Sequence, residues 1–139
     1  MFKDDKDQGD LVLTNIYLLA GVSLPLWISV SPINDNPATL MSGVLSIGIG
    51  DAFASIVGSK WGQHCLLNTK KTFEGLLASI FSQIVFIKLL ELFGLIWVDQ
   101  KITVIFSIIF VSLTEVITSQ VDNITLPFLM YSLMRLFVK

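Results

Sequence analysis

Apolar residues fall into five long stretches separated by short polar breaks: Leu11 to Val30, Leu40 to about Ser59, Leu76 to Val98, Ile102 to about Ser119, and Ile124 to Val138. A helix needs about 20 apolar residues to cross the hydrocarbon core of a bilayer. The first three stretches meet that length. The fourth is marginal. The fifth is short and contains Pro127 and Arg135, so it reads as a partial or tilted span. The pattern predicts an all-α, polytopic transmembrane bundle of about five hydrophobic segments, forming a single membrane domain over residues 1–139. The breaks are distinct in kind. Ser31-Pro32-Ile33-Asn34-Asp35-Asn36-Pro37 is a turn by its Pro and Asn content. Val98-Asp99-Gln100-Lys101 reads as a tight polar hairpin, and Lys60 to Gly75 is the longest and most polar break.

Composition agrees. Of the 139 residues, 53% are hydrophobic and 14% charged, and mean hydropathy is +0.76. A soluble domain carries about a quarter charged residues. The nine Lys and Arg form no basic stripe, which argues against nucleic-acid binding. The polar segment Met1 to Asp10 has no basic lead into a small-residue cleavage site, so the first stretch reads as a retained span. A single cysteine, Cys65, forms no internal disulfide, and with the adjacent His64 it makes a poor metal site. Lys88 and Glu91 are spaced as a local ion pair.

Placing the amino terminus in the cytosol puts Lys3, Lys6, Lys60, Lys70 and Lys71 on that side, and Lys101, Lys139 and Arg135 toward the other. This orientation gathers Asp51, Lys70, Lys71, Glu74, Glu115 and Asp122 near the cytosolic face, with Asp51 roughly 10 Å inside the membrane. It also leaves the sequon Asn123-Ile124-Thr125 on the wrong side for glycosylation.

Three groups carry candidate chemistry. In the second stretch Gly48, Asp51, Ala54, Gly58 and Gly62 recur at helical spacing and share a face if the helix continues that far. Small residues so spaced serve close helix packing. Packing alone does not call for a carboxylate at membrane depth, which costs roughly 2.5–3.5 kcal/mol on insertion scales. A glycine-rich helix end beside an acid suits a phosphate with a cation between. The second group is Lys70-Lys71-Thr72-Phe73-Glu74-Gly75. The lysines serve equally as topology signals or as charges for phosphate oxygens. Thr72 supplies a hydroxyl, Glu74 a ligand for a metal or a ribose hydroxyl, and Gly75 a turn into the third stretch. The third group, Glu115, Thr118 or Ser119, and Asp122, lines one face of a helix. Asp122-Asn123 also reads as an ordinary helix-end turn. Asp51, Glu115 and Asp122 together suggest an oxygen-ligand site for a hard cation such as Mg²⁺.

Taken in order, Asp51-x-x-Ala54-x-x-x-Gly58-x-x-x-Gly62, Lys70-Lys71-Thr72-Phe73-Glu74-Gly75 and Glu115-x-x-Thr118-x-x-x-Asp122-Asn123 resemble the dolichol kinase family, CTP-dependent polyprenol kinases of the endoplasmic reticulum. The motifs are similar to those of phytol kinase and, more distantly, of CDP-diacylglycerol synthase. The resemblance covers nearly the whole chain but only the carboxyl-terminal, CTP-binding portion of family members, so the chain reads as a fragment or truncated form. It implies phosphoryl transfer from CTP to dolichol or another polyprenol, giving the dolichyl phosphate used in protein glycosylation. The site would face the cytosol from a multi-pass membrane domain, and other membrane proteins or a second copy are expected neighbours. Asp51, Lys71 and Asp122 are the expected catalytic residues. Gly58, Gly62, Lys70, Lys71, Thr72, Glu74 and Gly75 would hold the nucleotide, and Asp51, Glu115 and Asp122 the metal. Three rivals stand beside this: a cytidylyltransferase, a transporter-like protein whose buried acids line an ion path, and an inactive subunit.

Overall fold

A computed structural model describes residues 13–29, 37–66, 71–98, 100–117 and 122–137. Among these residues the chain is helical, with no strand beyond an isolated bridge between Cys65 and Thr72. The helices are α1 (Leu13–Ile28), α2 (Pro37–Leu40), α3 (Ala52–Trp61), α4 (Phe73–Leu92), α5 (Lys101–Ile117) and α6 (Asp122–Phe137). A π-helical segment, Val44–Asp51, runs directly into α3. The five apolar stretches thus correspond to five helical rods, the second being the π segment joined to α3. Among the described residues, Phe73–Leu92 is the one helix long and apolar enough to cross a membrane; Ile16–Ile28 and Ile124–Leu136 are shorter apolar helices.

Helix α1 lies along α6, α3 along α4, and α5 sits between α4 and α6. The π segment occupies the middle and touches α1, α3, α4, α5 and α6. Leu45, Ile87, Val104, Ile108, Val111, Leu126, Met130 and Met134 form the apolar core. The rest of the burial pattern is the reverse of what water favours. Ser42, Ser79 and Ser107 are 0% exposed, whereas Trp27 is 80% and Ile102 86% exposed.

Three expectations need correction. The third stretch does not stay helical to Val98. Helix α4 ends at Leu92, and Gly94 takes φ 67°, the left-handed conformation that glycine adopts without a side-chain clash. Its N–H donates to Glu91 O, and Leu95 N–H to Leu90 O. The non-helical segment that follows then buries Ile96 and Val98 in the core, so these residues are apolar without being helical. Second, Gly75 is not a turn before the third helix but lies within its first turn. Third, the wider π turn changes which glycine faces α4. A Cβ at Gly50 would overlap Gln83 Nε2, whereas one at Gly48 would meet only Val44 Cγ1, at 3.6 Å. At the far end, the expected Lys88–Glu91 pair forms at 2.9 Å, with Lys101 adding a second ammonium 3.7 Å from Glu91.

The α3–α4 seam is built on glycines. A Cβ at Gly75 would lie 2.8 Å from the carbonyl oxygen of Ala54 and 3.1 Å from Thr72 Oγ1. Gly75→Ala is therefore expected to destabilise the chain by about 1–3 kcal/mol, since a backbone oxygen cannot yield without moving α3. That outweighs the gain of about 1 kcal/mol from replacing a helical glycine. Gly48→Ala keeps the gain without the clash. Thermal midpoints in detergent should fall for the first variant and hold or rise for the second; equal midpoints would contradict the seam.

Candidate functional site

A cleft of about 290 Å³ opens where the start of α4 meets the end of α5 and the side of α3. Asp51, Ala54, Ser55, Gly58 and Ser59 line it from one side, Lys71, Thr72, Gly75, Leu76 and Ser79 from the second, and Ser112, Glu115 and Val116 from the third. All three motif regions of the sequence therefore contribute to one cavity.

Lys71 and Glu115 form its ionic centre. The Lys71 ammonium donates to the Glu115 backbone oxygen at 2.6 Å and to its Oε1 at 3.2 Å. The backbone bond gives the Glu115 carbonyl a charged donor near the last described residues of α5. Glu115 is 6% exposed, so its charge relies on such partners. Asp51 sits at the junction of the π segment and α3 with helical dihedrals, φ −65° and ψ −39°, and lines the same cleft.

Thr72 caps α4. Its φ of −115° and ψ of 153° turn the chain into the helix, and its Oγ1 accepts from Gly75 N–H at 3.2 Å. The hydroxyl thus ties down one of the donors exposed at a helix start, while still lining the cleft. Phe73 N–H is used as well, donating to His64 O at 2.9 Å. Gly62 ends α3, and a Cβ there would press on Thr72 Cγ2 at 2.5 Å, so this glycine lets the loop close over the cap. Gly58 lines the cleft and also faces Thr72, whose Oγ1 would lie 3.0 Å from an added Cβ.

Glu74 goes elsewhere. Its Oε1 is 2.7 Å from His64 Nδ1, and its Oε2 accepts from His64 N–H at 3.4 Å. It fastens the loop hairpin, in which Leu66 N–H donates to Lys71 O at 2.9 Å, and it is absent from the cleft lining. Lys70, Thr118 and Ser119 lie outside the described residues. Asp122 is the first described residue of α6, and its side chain is likewise outside the described set. Among the described residues no three carboxylate, imidazole or thiol groups come together as a metal site. Ser55, Ser59, Ser79 and Ser112 are cleft-lining residues that the charge pattern does not single out. Their signal in the sequence is a polar residue inside an apolar helix.

No family model matches the chain, and no solved structure matches it significantly. Among curated proteins it is 42% identical over 137 residues to the dolichol kinase of Mus musculus, covering 91% of this chain and 26% of the relative. It is 36% identical over 140 residues to the dolichol kinase EVAN of Arabidopsis thaliana, covering 97% of this chain and 24% of the relative. With the dolichol kinase of Saccharomyces cerevisiae it shares 32% identity over 130 residues, 91% of this chain and 23% of that one. The chain thus spans about a quarter of the length of the curated relatives it matches. By sequence, the chain is similar to the carboxyl-terminal part of dolichol kinases.

Proposed function

We propose that this chain forms the nucleotide-binding part of an enzyme that transfers the terminal phosphoryl group of CTP to dolichol, in a multi-pass domain of the endoplasmic reticulum membrane. One observation carries the reading: Lys71, Glu115 and Asp51, from three separate motifs, line a single cleft in a chain 42% identical to a named dolichol kinase. The membrane setting is supported by buried serines and glutamine inside a bundle whose aromatic and aliphatic side chains face outward. The lysine distribution supports a cleft facing the cytosol.

Phosphoryl transfer depends mainly on positioning and on neutralising charge. Lys71 neutralises phosphate oxygens at the mouth of the cleft, with Lys70 adjacent in sequence. Gly58 and Gly75 let α3 and α4 close tightly against each other, which holds Lys71 and Asp51 on the same cleft. The bond formed joins the alcohol oxygen to the γ-phosphorus. The bond broken joins that phosphorus to the bridging oxygen, CDP leaves, and the hydroxyl proton passes to Asp51, Asp122 or water. The donor set fits a divalent cation, because Asp51 and Glu115 offer carboxylates and Ser55 and Ser59 offer hydroxyls to the same space. When bound, Mg²⁺ would supply charge compensation to the phosphates.

Membranes bearing the chain, given γ-labelled CTP and dolichol, are expected to place the label in the lipid and release CDP. Label appearing in pyrophosphate would identify a cytidylyltransferase instead. Label that stays in CTP would refute the proposal.

A further inference from the structure

The cleft continues below its ionic mouth. Along α4, Thr72, Gly75, Ser79 and Gln83 recur at steps of three and four, so they share one face. The helical rise puts Ser79 roughly 10 Å beyond Thr72. There α5 brings Ser112 opposite, with the two hydroxyl oxygens 3.4 Å apart. Both serines line the cleft, and both are buried. Behind them Gln83, 1% exposed, donates from Nε2 to Ser79 Oγ at 3.1 Å and to Ser112 Oγ at 3.5 Å. Gly50 makes room for that amide, since any Cβ there would overlap Nε2.

Hydrogen counting gives this arrangement a polarity. A serine hydroxyl has one hydrogen and two acceptor lone pairs. Gln83 directs its amide hydrogens to both serine oxygens. Of the two hydroxyl hydrogens, only one can occupy the Ser79–Ser112 contact. Gln83 Oε1 does not take the other, because it has no hydrogen-bond partner among the described residues. With the Gln83 amide in this orientation, one hydroxyl hydrogen has no acceptor among the described residues; the serines are 0% and 1% exposed, so an incoming oxygen reaches it only when the wall formed with Leu76 and Val116 gives slightly. Cross-linking of helices by serines would need neither an opening onto a cavity nor an amide with a stranded oxygen.

We propose that Ser79 and Ser112 form a donor floor that receives the hydroxyl oxygen of the acceptor lipid alcohol, with Gln83 as the positioning residue behind them. The inference rests on the kinase reading above and deepens it. Ser79, Ser112 and Gln83 carry no charge, so the floor itself offers a phosphate's charge no counter-ion. A neutral alcohol carries no such charge, and it arrives from the bilayer side. A donor to its oxygen holds the alcohol while leaving its own hydrogen free to depart toward a base.

The test reads binding without CTP. Membranes carrying the chain are photolabelled with a diazirine-bearing polyprenol. Either unlabelled polyprenol or the matching hydrocarbon lacking the hydroxyl serves as competitor. The alcohol should displace the label about tenfold more effectively than the hydrocarbon, the scale of one hydrogen bond to a buried group. Ser112→Ala and Gln83→Met should each erase that preference, and the double variant should be no worse than either single, as expected of groups acting in one chain. Ser112→Thr, which restores a hydroxyl, should recover it. Lys71→Ala should keep it, because the ammonium serves the nucleotide. Equal competition by alcohol and hydrocarbon in the unaltered chain, or an undiminished preference in Ser112→Ala and Gln83→Met, would overturn the floor. Selective alcohol binding without label transfer from CTP would sink the kinase reading and leave the floor standing.

Discussion

Lys71→Ala is expected to lower phosphoryl transfer by about 10²–10³-fold, the scale seen when a preorganised group aimed at developing charge is removed. Two effects overlap in this variant and have to be separated. The ammonium is the proposed counter-charge for the nucleotide phosphates, and it is also bonded to Glu115 through both Oε1 and the backbone oxygen. Removing it takes a cation away from a carboxylate whose side chain is 8% exposed. Breaking a fully buried pair costs about 3–5 kcal/mol. The 31% exposure of the Lys71 side chain argues for the low end or below, about 2 kcal/mol. The double variant Lys71→Ala/Glu115→Gln removes both charges together. It should regain most of the lost stability while staying as inactive as the single. Thermal midpoint in detergent and transfer per folded molecule would then part company. If activity returned with stability, Lys71 would be a structural partner of Glu115 and not a phosphate ligand. Lys71→Arg should remain folded but transfer slowly, because the planar guanidinium cannot replace the ammonium in the bond to Glu115 O without shifting the loop.

The hydrophobic pattern conveys the number of rods and their rough extents, because a long apolar stretch in this chain has few other states available to it. It misplaces the end of α4 because Leu95 to Val98 are apolar for a different reason: Ile96 and Val98 fill the core from the non-helical segment that follows α4. Gly94 is the clue in the sequence, a glycine where a helix can end in the left-handed conformation. The glycine face of the second rod is half legible. From Ala54 to Gly58 the α-helical spacing holds, but before Asp51 the backbone takes the wider π turn, so Gly50 and not Gly48 meets α4. No spacing argument based on 3.6 residues per turn can foresee that. The convergence of Asp51, Lys71 and Glu115 follows from a shared depth and a shared side, which charge placement conveys. The partner of Glu74 does not follow, because pairing it with His64 requires the loop to fold back through the Cys65–Thr72 bridge. Ser79, Gln83 and Ser112 are visible only when neutral polar residues within apolar helices are weighed as heavily as charges.

Asp51→Asn is expected to reduce transfer by about 100-fold or more, at the level of a lost charged group in the reacting site, while leaving insertion intact. The two side chains are nearly equal in size, and position 51 has ordinary helical dihedrals, so the backbone gives no reason for misfolding. Membrane energetics run the other way from activity. An aspartate near the middle of an inserted helix costs roughly 2.5–3.5 kcal/mol, and an uncharged amide costs less, so the variant should integrate at least as well as the parent. The retention of a carboxylate at that cost is best explained by something it binds. If that is a divalent cation shared with Glu115 across the cleft, the defect should carry a specific signature. Asp51→Asn should require a higher Mg²⁺ concentration for half-maximal transfer and recover in part when Mg²⁺ is raised. Lys71→Ala should instead show a raised KM for CTP that Mg²⁺ does not repair. An Asp51→Asn chain with parental rate and parental Mg²⁺ dependence would remove Asp51 from the site and return the Gly50, Ala54 and Gly58 face to helix packing alone.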